Sequence, residues 1–138
     1  MSDLVRFGIS LERRLLAKFD RLVGDKGYAN RSQAIRDLIR KSLVRREWDA
    51  AAEVAGTITL VYDHHGHDTV NMLTDIQHDL GHCIVSTQHI HLDHHNCLEV
   101  VVVRGRPKEA ENLADRLETV KGVKHCVLTM ATTGREVP

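Results

Sequence analysis

The first apolar residues of the chain alternate with polar or small ones. Val5, Phe7 and Ile9 lie at every second position of residues 4–10. A period of two over this length predicts a strand with one buried face. Ser10, at the end of the strand, is of the residue type that caps a helix that follows.

Helical spacing replaces the alternation after this strand. Leucines, Phe and Val recur every three or four residues over 11–25 and predict an amphipathic helix, which Gly27 ends in the left-handed conformation. A second helix is predicted to open at Asn30 or Ser32 and to extend to about Trp48. One strand and two helices in under fifty residues are too few to bury a core alone. Two copies that paired their strands would bury a shared core and would also satisfy the hydrogen-bonding edge of each strand.

The paired arrangement is that of the ribbon-helix-helix dimer, and the sequence resembles that DNA-binding family in Arg6–Ser10 and in 27–37 (GYANRSQAIRD). In that family the paired strands enter the major groove of DNA. The resemblance implies that Arg6, Gly8 and Ser10 face the bases, where Arg6 suits guanine and Gly8 offers no side chain. It also implies that the start of the second helix contacts DNA phosphates through Asn30, Arg31 and Ser32.

The distribution of charged residues also divides the chain into two parts. Residues 1–49 carry 12 Lys/Arg and 7 Asp/Glu, a net +5, whereas residues 50–138 carry 7 and 12, a net −5. A basic first part fits a nucleic-acid partner. The start of the chain lacks a secretory signal pattern and no apolar run reaches membrane-spanning length, so we expect a cytoplasmic protein with no membrane partner. Three cysteines without a C-x-x-C pair argue against a disulfide framework.

The second part of the chain predicts an α+β domain. Its elements run in the order βαββαβ, which is typical of a ferredoxin-like sandwich of the ACT type. The predicted domains are 1–49 for DNA binding, 50–56 as a linker, and 57–138. The predicted elements of the last domain are a strand over 57–63, a helix over 68–81, strands over 83–92 and 97–104, a helix over 107–121 and a strand over 123–130.

Nine of the ten histidines fall between His64 and His95, and four metal-ligand side chains stand out there. His89 and His91 leave the same face of a strand. If the next hairpin closes around five residues, 92–96, then Cys97 lies opposite His91 on that face. A four-residue loop would send the thiol to the other face. His78 or His82 on the preceding helix can supply a fourth ligand, and this spacing alone leaves tetrahedral zinc and planar nickel or copper open.

The whole chain resembles the nickel-responsive repressors of bacteria and archaea, which join a ribbon-helix-helix module to an ACT-like module. The resemblance rests on His78…His89-x-His91-x5-Cys97 and on the neighbouring 86–89 and 97–99. It implies one square-planar Ni2+ per subunit, held by His89, His91 and Cys97 of one subunit and His78 of another. It also implies a homotetramer, built as a dimer of dimers, that represses nickel-uptake genes at a palindromic operator. Glu99, opposite His89 in this register, is expected to orient an imidazole.

One departure concerns a further cation that such repressors often bind through two acidic residues on the second helix. This chain has Gln33 and Asp37 there, so the secondary site loses one charge. The remaining histidines are interpreted as solvated or as weak secondary metal sites in loops, with no role assigned to two of them. The loop residues are His64, His65, His67, His94 and His95, and the unassigned ones are His82 and His125.

Two other classes fit parts of the pattern. A metalloenzyme would need an open coordination position and a general base, and no H-E-x-x-H motif is present. An antitoxin-like or amino-acid-sensing repressor would share both modules without nickel. Stoichiometric nickel in the purified protein would separate the metal sensor from that alternative.

Overall fold

The computed structural model describes residues 3–50 and 52–138, apart from the side chain of His67. Ala51 of the predicted linker lies outside the described residues. The chain divides into two compact units, one ending at Ile39 and the other running from Arg40 to Pro138. No helix in the described part of the chain is long and apolar enough to cross a membrane.

The regular structure of the first unit consists of helix α1 and the first part of helix α2. Helix α1 spans Arg13–Lys26 and α2 spans Arg31–Asp49, of which residues 40–49 belong to the second unit. Gly27 ends α1 with a φ of 77°, as predicted. The side chain of Asn30 accepts the backbone N–H of Gln33 at 2.9 Å, which selects Asn30 over Ser32 as the opening residue of α2.

The start of α1 differs from the prediction. Glu12, still in an extended conformation, precedes the first helical residue, and no side chain caps it. The prediction that Ser10 caps this helix is therefore wrong, because the chain remains extended for two residues more than the apolar spacing suggested. Leu11 belongs to this extended segment.

Residues 3–12 form no strand in the single chain, and the strand predicted over 4–10 is one that pairs with a second copy. A strand exists only through hydrogen bonds to a neighbouring strand, and residues 3–39 of the first unit contain none. The alternating apolar side chains are open to solvent, with Val5 81% and Phe7 73% exposed, and α1 buries no residue completely. Among the described residues of this unit only Ala34 is buried, as expected of a module that is completed by a second copy.

The second unit contains a four-stranded antiparallel sheet with two helices, in the predicted order βαββαβ. The strands lie in the order β2-β3-β1-β4. The elements are β1 at Val54–Asp63, α3 at His67–Asp79, a 3-10 turn at Gly81–Cys83, β2 at Ile84–His91, β3 at Asn96–Gly105, α4 at Pro107–Glu118 and β4 at Val123–Met130. The strand predicted over 57–63 begins three residues earlier, because Val54 still pairs with Gly105.

The core of the second unit lies on one face of the sheet. Side chains of β1 and β3 alternate between buried and half-buried, which follows the period of a strand with one covered face. The end of α2 contributes Trp48, which is 4% exposed and donates its Nε1–H to the Ala131 carbonyl at 2.9 Å. Gly56 accommodates this ring, because a Cβ there would lie 3.1 Å from it and 2.7 Å from the Thr129 carbonyl oxygen.

Candidate metal centre and DNA-binding surface

The hairpin between β2 and β3 has the register that a five-residue loop predicts. His91 pairs with Cys97 and His89 pairs with Glu99, and the N–H of Leu92 donates to the Asn96 carbonyl at 2.9 Å. Facing residues in a sheet share a face. The imidazoles of β2 and the thiol of β3 therefore belong to the same side of the sheet, as predicted.

His89 is held between three side chains. Its Nε2 lies 2.5 Å from Oε1 of Glu99, and its Nδ1 lies 3.2 Å from Oη of Tyr62 and 4.0 Å from Sγ of Cys97. A carboxylate at Nε2 fixes that nitrogen as the proton carrier, so the Nδ1 lone pair accepts the Tyr62 hydroxyl, with the Cys97 sulfur nearby. One nitrogen and one sulfur donor thus face the same space, a combination that suits a borderline divalent metal.

Glu99 is 1% exposed, so its charge depends on the groups around it. Gln77 of α3 donates its side-chain N–H to Oε2 at 3.0 Å, opposite the contact with His89. Burial raises the pKa of the Glu99 carboxyl, although His89 and the Gln77 hydrogen bond act in the opposite direction. Burial also raises the pKa of Tyr62, with the Glu99 charge as the second cause, so the phenol stays protonated.

The four predicted metal ligands do not form one set within a single chain. His91 is exposed, and its ring centroid lies 4.8 Å from that of His64. His78 is exposed near the end of α3, and His82 lies 3.5 Å from a carboxylate oxygen of Glu109. Among the described residues, only one group of three or more His, Cys, Asp or Glu side chains has converging ligand atoms. That group is Asp63, His65 and His95.

The predicted DNA contacts lie at the surface of the first unit. Arg6, Gly8 and Ser10 belong to the exposed extended segment. Arg31 forms two 2.8 Å hydrogen bonds with the Asp20 carboxylate, which lower the pKa of that carboxyl. The Arg31 guanidinium is therefore oriented by α1 in the absence of DNA. The Asn30 side chain is occupied as the cap of α2, and Ser32 is exposed in its first turn.

Gln33 and Asp37, the predicted secondary cation ligands, both have partners in the first unit. Oε1 of Gln33 accepts the backbone N–H of Ala29 at 2.8 Å, and the Asp37 carboxylate accepts the hydroxyl of Tyr28. Their role toward a cation stays a prediction.

Sequence reasoning missed the side chains that contact His89 and Glu99, and it missed the convergence of Asp63 with two of the loop histidines. Tyr62 and Gln77 were not singled out, because only the pairing of Tyr62 with Cys97 and the packing of α3 reveal them. Asp63, His65 and His95 offer ligand atoms that all lie within 4.8 Å of one another. The signal was the density of histidines in two separate loops, but their proximity depends on the sheet topology.

Two family models together match most of the chain. The model described as the ribbon-helix-helix protein, copG family, matches residues 5–46, and the NikR C-terminal nickel binding domain matches residues 55–131. Both domains are regulatory rather than catalytic, which argues against the metalloenzyme alternative.

Relatives match the chain over nearly its full length. The chain is 53% identical over 135 residues to a protein of Syntrophus aciditrophicus, covering 98% of both chains. It is 55% identical over 135 residues to one of Pyrococcus furiosus, covering 97% of this chain and 98% of the relative, and 54% identical over 137 residues to one of Desulfovibrio desulfuricans, covering 99% of both. Each is named "Putative nickel-responsive regulator".

A solved structure supports the fold alone. It is that of an uncharacterized protein from Thermotoga maritima, with a TM-score of 0.50 and 13% sequence identity. The match covers 55% of this chain and 96% of that chain.

Proposed function

The chain belongs to the family of nickel-responsive regulators with a DNA-binding ribbon-helix-helix domain, and on that basis we propose that it represses nickel-uptake genes. In this proposal the regulator works in the cytoplasm and binds a palindromic operator when nickel is present. The observation that carries the metal side of the proposal is the position of His89, with one nitrogen on Glu99 and the other toward Cys97.

We propose His89, His91 and Cys97 as the nickel ligands of one subunit and His78 of a neighbouring subunit as the fourth. The strand pairings of His89 with Glu99 and of His91 with Cys97 support the assignment of three ligands to one subunit, because they place these side chains on one face of the sheet. Held by these four residues, one nickel ion per subunit would link two subunits. The exposure of His78 supports a role between subunits, because the side chain remains free to meet another chain.

We propose a homotetramer in which the second units associate through their sheets. The helices cover only one face of the sheet, and apolar side chains of the other face are open, among them Ile90 and Val127. An apolar sheet face of this kind needs a partner. The exposed segment 3–12 of the first unit needs a second copy for the same reason.

In the DNA complex we propose Arg6 and Ser10 as base contacts on paired strands, with Gly8 between them allowing close approach. Asn30, Arg31 and Ser32 then lie against phosphates at the start of α2, where free N–H groups favour an anion. Gln33 and Asp37 remain candidates for a secondary cation, with the Gln33 amide oxygen replacing a charged ligand.

An absorption spectrum tests the proposed ligand set. Adding Ni2+ to the purified full chain is expected to produce a thiolate charge-transfer band that Cys97→Ala abolishes. Cys126→Ala is the matched control, because burial raises the pKa of the Cys126 thiol to about 11 and keeps it protonated. A band that survives Cys97→Ala would refute the ligand assignment.

A further inference from the structure

A second cluster of metal-ligand side chains lies outside the proposed nickel ligands. Asp63 ends β1, His65 follows in the next turn, and His95 lies in the loop between β2 and β3. One ligand atom from each of the three lies within 4.8 Å of the other two. His65 and His95 are exposed and Asp63 is half-buried, so a cation can reach them from solvent.

The sheet brings these two loops together. Asp63 pairs with Asn96 at the last position of the β1–β3 ladder, directly beside His95. The backbone N–H of His64 donates to the His95 carbonyl at 3.0 Å, which joins the two loops through their main chains. The spacing of the cluster is therefore set by backbone hydrogen bonds rather than by exposed side chains.

Hydrogen bonds also orient two of the ligands. Nε2 of His65 lies 2.7 Å from the His94 carbonyl oxygen. A carbonyl only accepts, so Nε2 carries the proton and Nδ1 of the neutral ring keeps its lone pair. Oδ1 of Asp63 accepts the backbone N–H of His65 at 2.9 Å, which leaves Oδ2 without that bond.

The loop that carries His95 is fixed by Asp93. Its Oδ1 accepts the backbone N–H groups of His95 at 2.8 Å and of Asn96 at 2.7 Å. The hairpin loop thus holds His95 on the side of β1, and the ring centroids of His65 and His95 are 5.2 Å apart.

We propose that Asp63, His65 and His95 bind an accessory divalent transition cation, distinct from the nickel at Cys97. Two imidazoles and one carboxylate suit Zn2+, Co2+ or Ni2+, whereas Mg2+ and Ca2+ prefer oxygen ligands alone. Three protein ligands leave coordination positions for water. Because the site is exposed and lacks a thiolate, it fills at higher metal concentration than the principal centre.

Equilibrium dialysis of the full chain against increasing Ni2+, with metal analysis per subunit, tests this proposal. A second, weaker class of bound nickel is expected after the thiolate band has saturated. His95→Ala and Asp63→Asn are each expected to weaken that class by about tenfold or more while the thiolate band is unchanged. Asp63→Asn keeps an oxygen that accepts the His65 N–H, so its loop is expected to stay folded.

His94→Ala is the matched control, because this residue contributes its backbone carbonyl and not its ring. It is expected to retain the weaker class of nickel. Saturation with no weaker class in the unmodified chain would overturn the proposal, and so would equal losses in His94→Ala and His95→Ala. Loss of the thiolate band in Cys97→Ala with the weaker class retained would support two independent centres.

Discussion

Nε2 of His89 lies 2.5 Å from the buried carboxylate of Glu99, directly across the β2–β3 ladder. The Glu99 carboxylate orients the imidazole, because its second oxygen accepts a hydrogen bond from Gln77 on α3 and its own position is thereby fixed. The Nδ1 atom then faces the sulfur of Cys97. A carboxylate that holds one nitrogen of a metal-binding histidine fixes its tautomer and the orientation of its ring.

Replacing Glu99 with Gln is expected to weaken nickel binding by about 10- to 100-fold, because the oxygen remains but the charge is lost. Competition with a nickel chelator measures this affinity. Glu111→Gln on the exposed side of α4 is the control and is expected to bind nickel normally. An affinity for nickel that is the same in Glu99→Gln and the unmodified chain would contradict the role of Glu99.

Replacing Arg6 with Ala is expected to reduce discrimination between operator and unrelated DNA by about 1–3 kcal/mol, the contribution of one bidentate contact to guanine. Lys18→Ala, which removes an exposed positive charge from α1, serves as the control. Fluorescence anisotropy with both duplexes at one salt concentration gives the ratio. If Arg6→Ala weakens both duplexes equally, Arg6 contacts phosphate rather than bases.

Asp93 makes the stability of the hairpin loop dependent on pH. Hydrogen bonds from Asn96 and from the His95 N–H hold the pKa of its carboxyl well below the ordinary range. Because the pKa of Asp93 is lower in the folded state, its ionised carboxylate stabilises the protein at pH values above the unfolded-state pKa of ~3.9. This contribution is lost as the pH falls below that value toward the folded-state pKa.

Asp93→Ala is therefore expected to be less stable than the unmodified chain at neutral pH, and the difference is expected to shrink in acid. Urea unfolding of both proteins across this range, at one protein concentration, measures it. A difference that grew as the pH fell would have the wrong sign for this mechanism.

Trp48 packs the end of α2 into the core of the second unit. Trp48→Ala is expected to lower the free energy of unfolding by about 3–5 kcal/mol, because a large buried ring is removed. Trp48→Phe keeps much of that volume and loses the hydrogen bond to Ala131, so a loss nearer ~1 kcal/mol is expected from that bond. Equal effects of both substitutions on urea unfolding would show that packing of the ring is unimportant.

Local patterns predicted much of the second unit. Alternation and helical spacing gave all six elements in order, and the last strand, Val123–Met130, has the predicted bounds. The sequence left a five-residue and a four-residue loop open after His91, and the structure selects the five-residue loop that places Cys97 opposite His91.

Features that depend on distant pairing were not predictable from local patterns. Strand β1 begins at Val54 because its neighbour β3 continues to Gly105, which the sequence of 54–56 does not reveal. The cluster of Asp63, His65 and His95 depends on the same pairing of β1 with β3. The strand over 4–10 was predicted from its alternation together with the second copy that pairs with it, so the single chain leaves that strand a prediction.

Operator binding with and without nickel tests the central claim most directly. The probe is the duplex that the nickel-loaded full chain enriches most strongly from a random-sequence pool, measured by fluorescence anisotropy at fixed salt. Nickel is expected to tighten binding of the unmodified chain and to have no effect on Cys97→Ala. Equal affinity of the unmodified chain with and without nickel would contradict the proposed function.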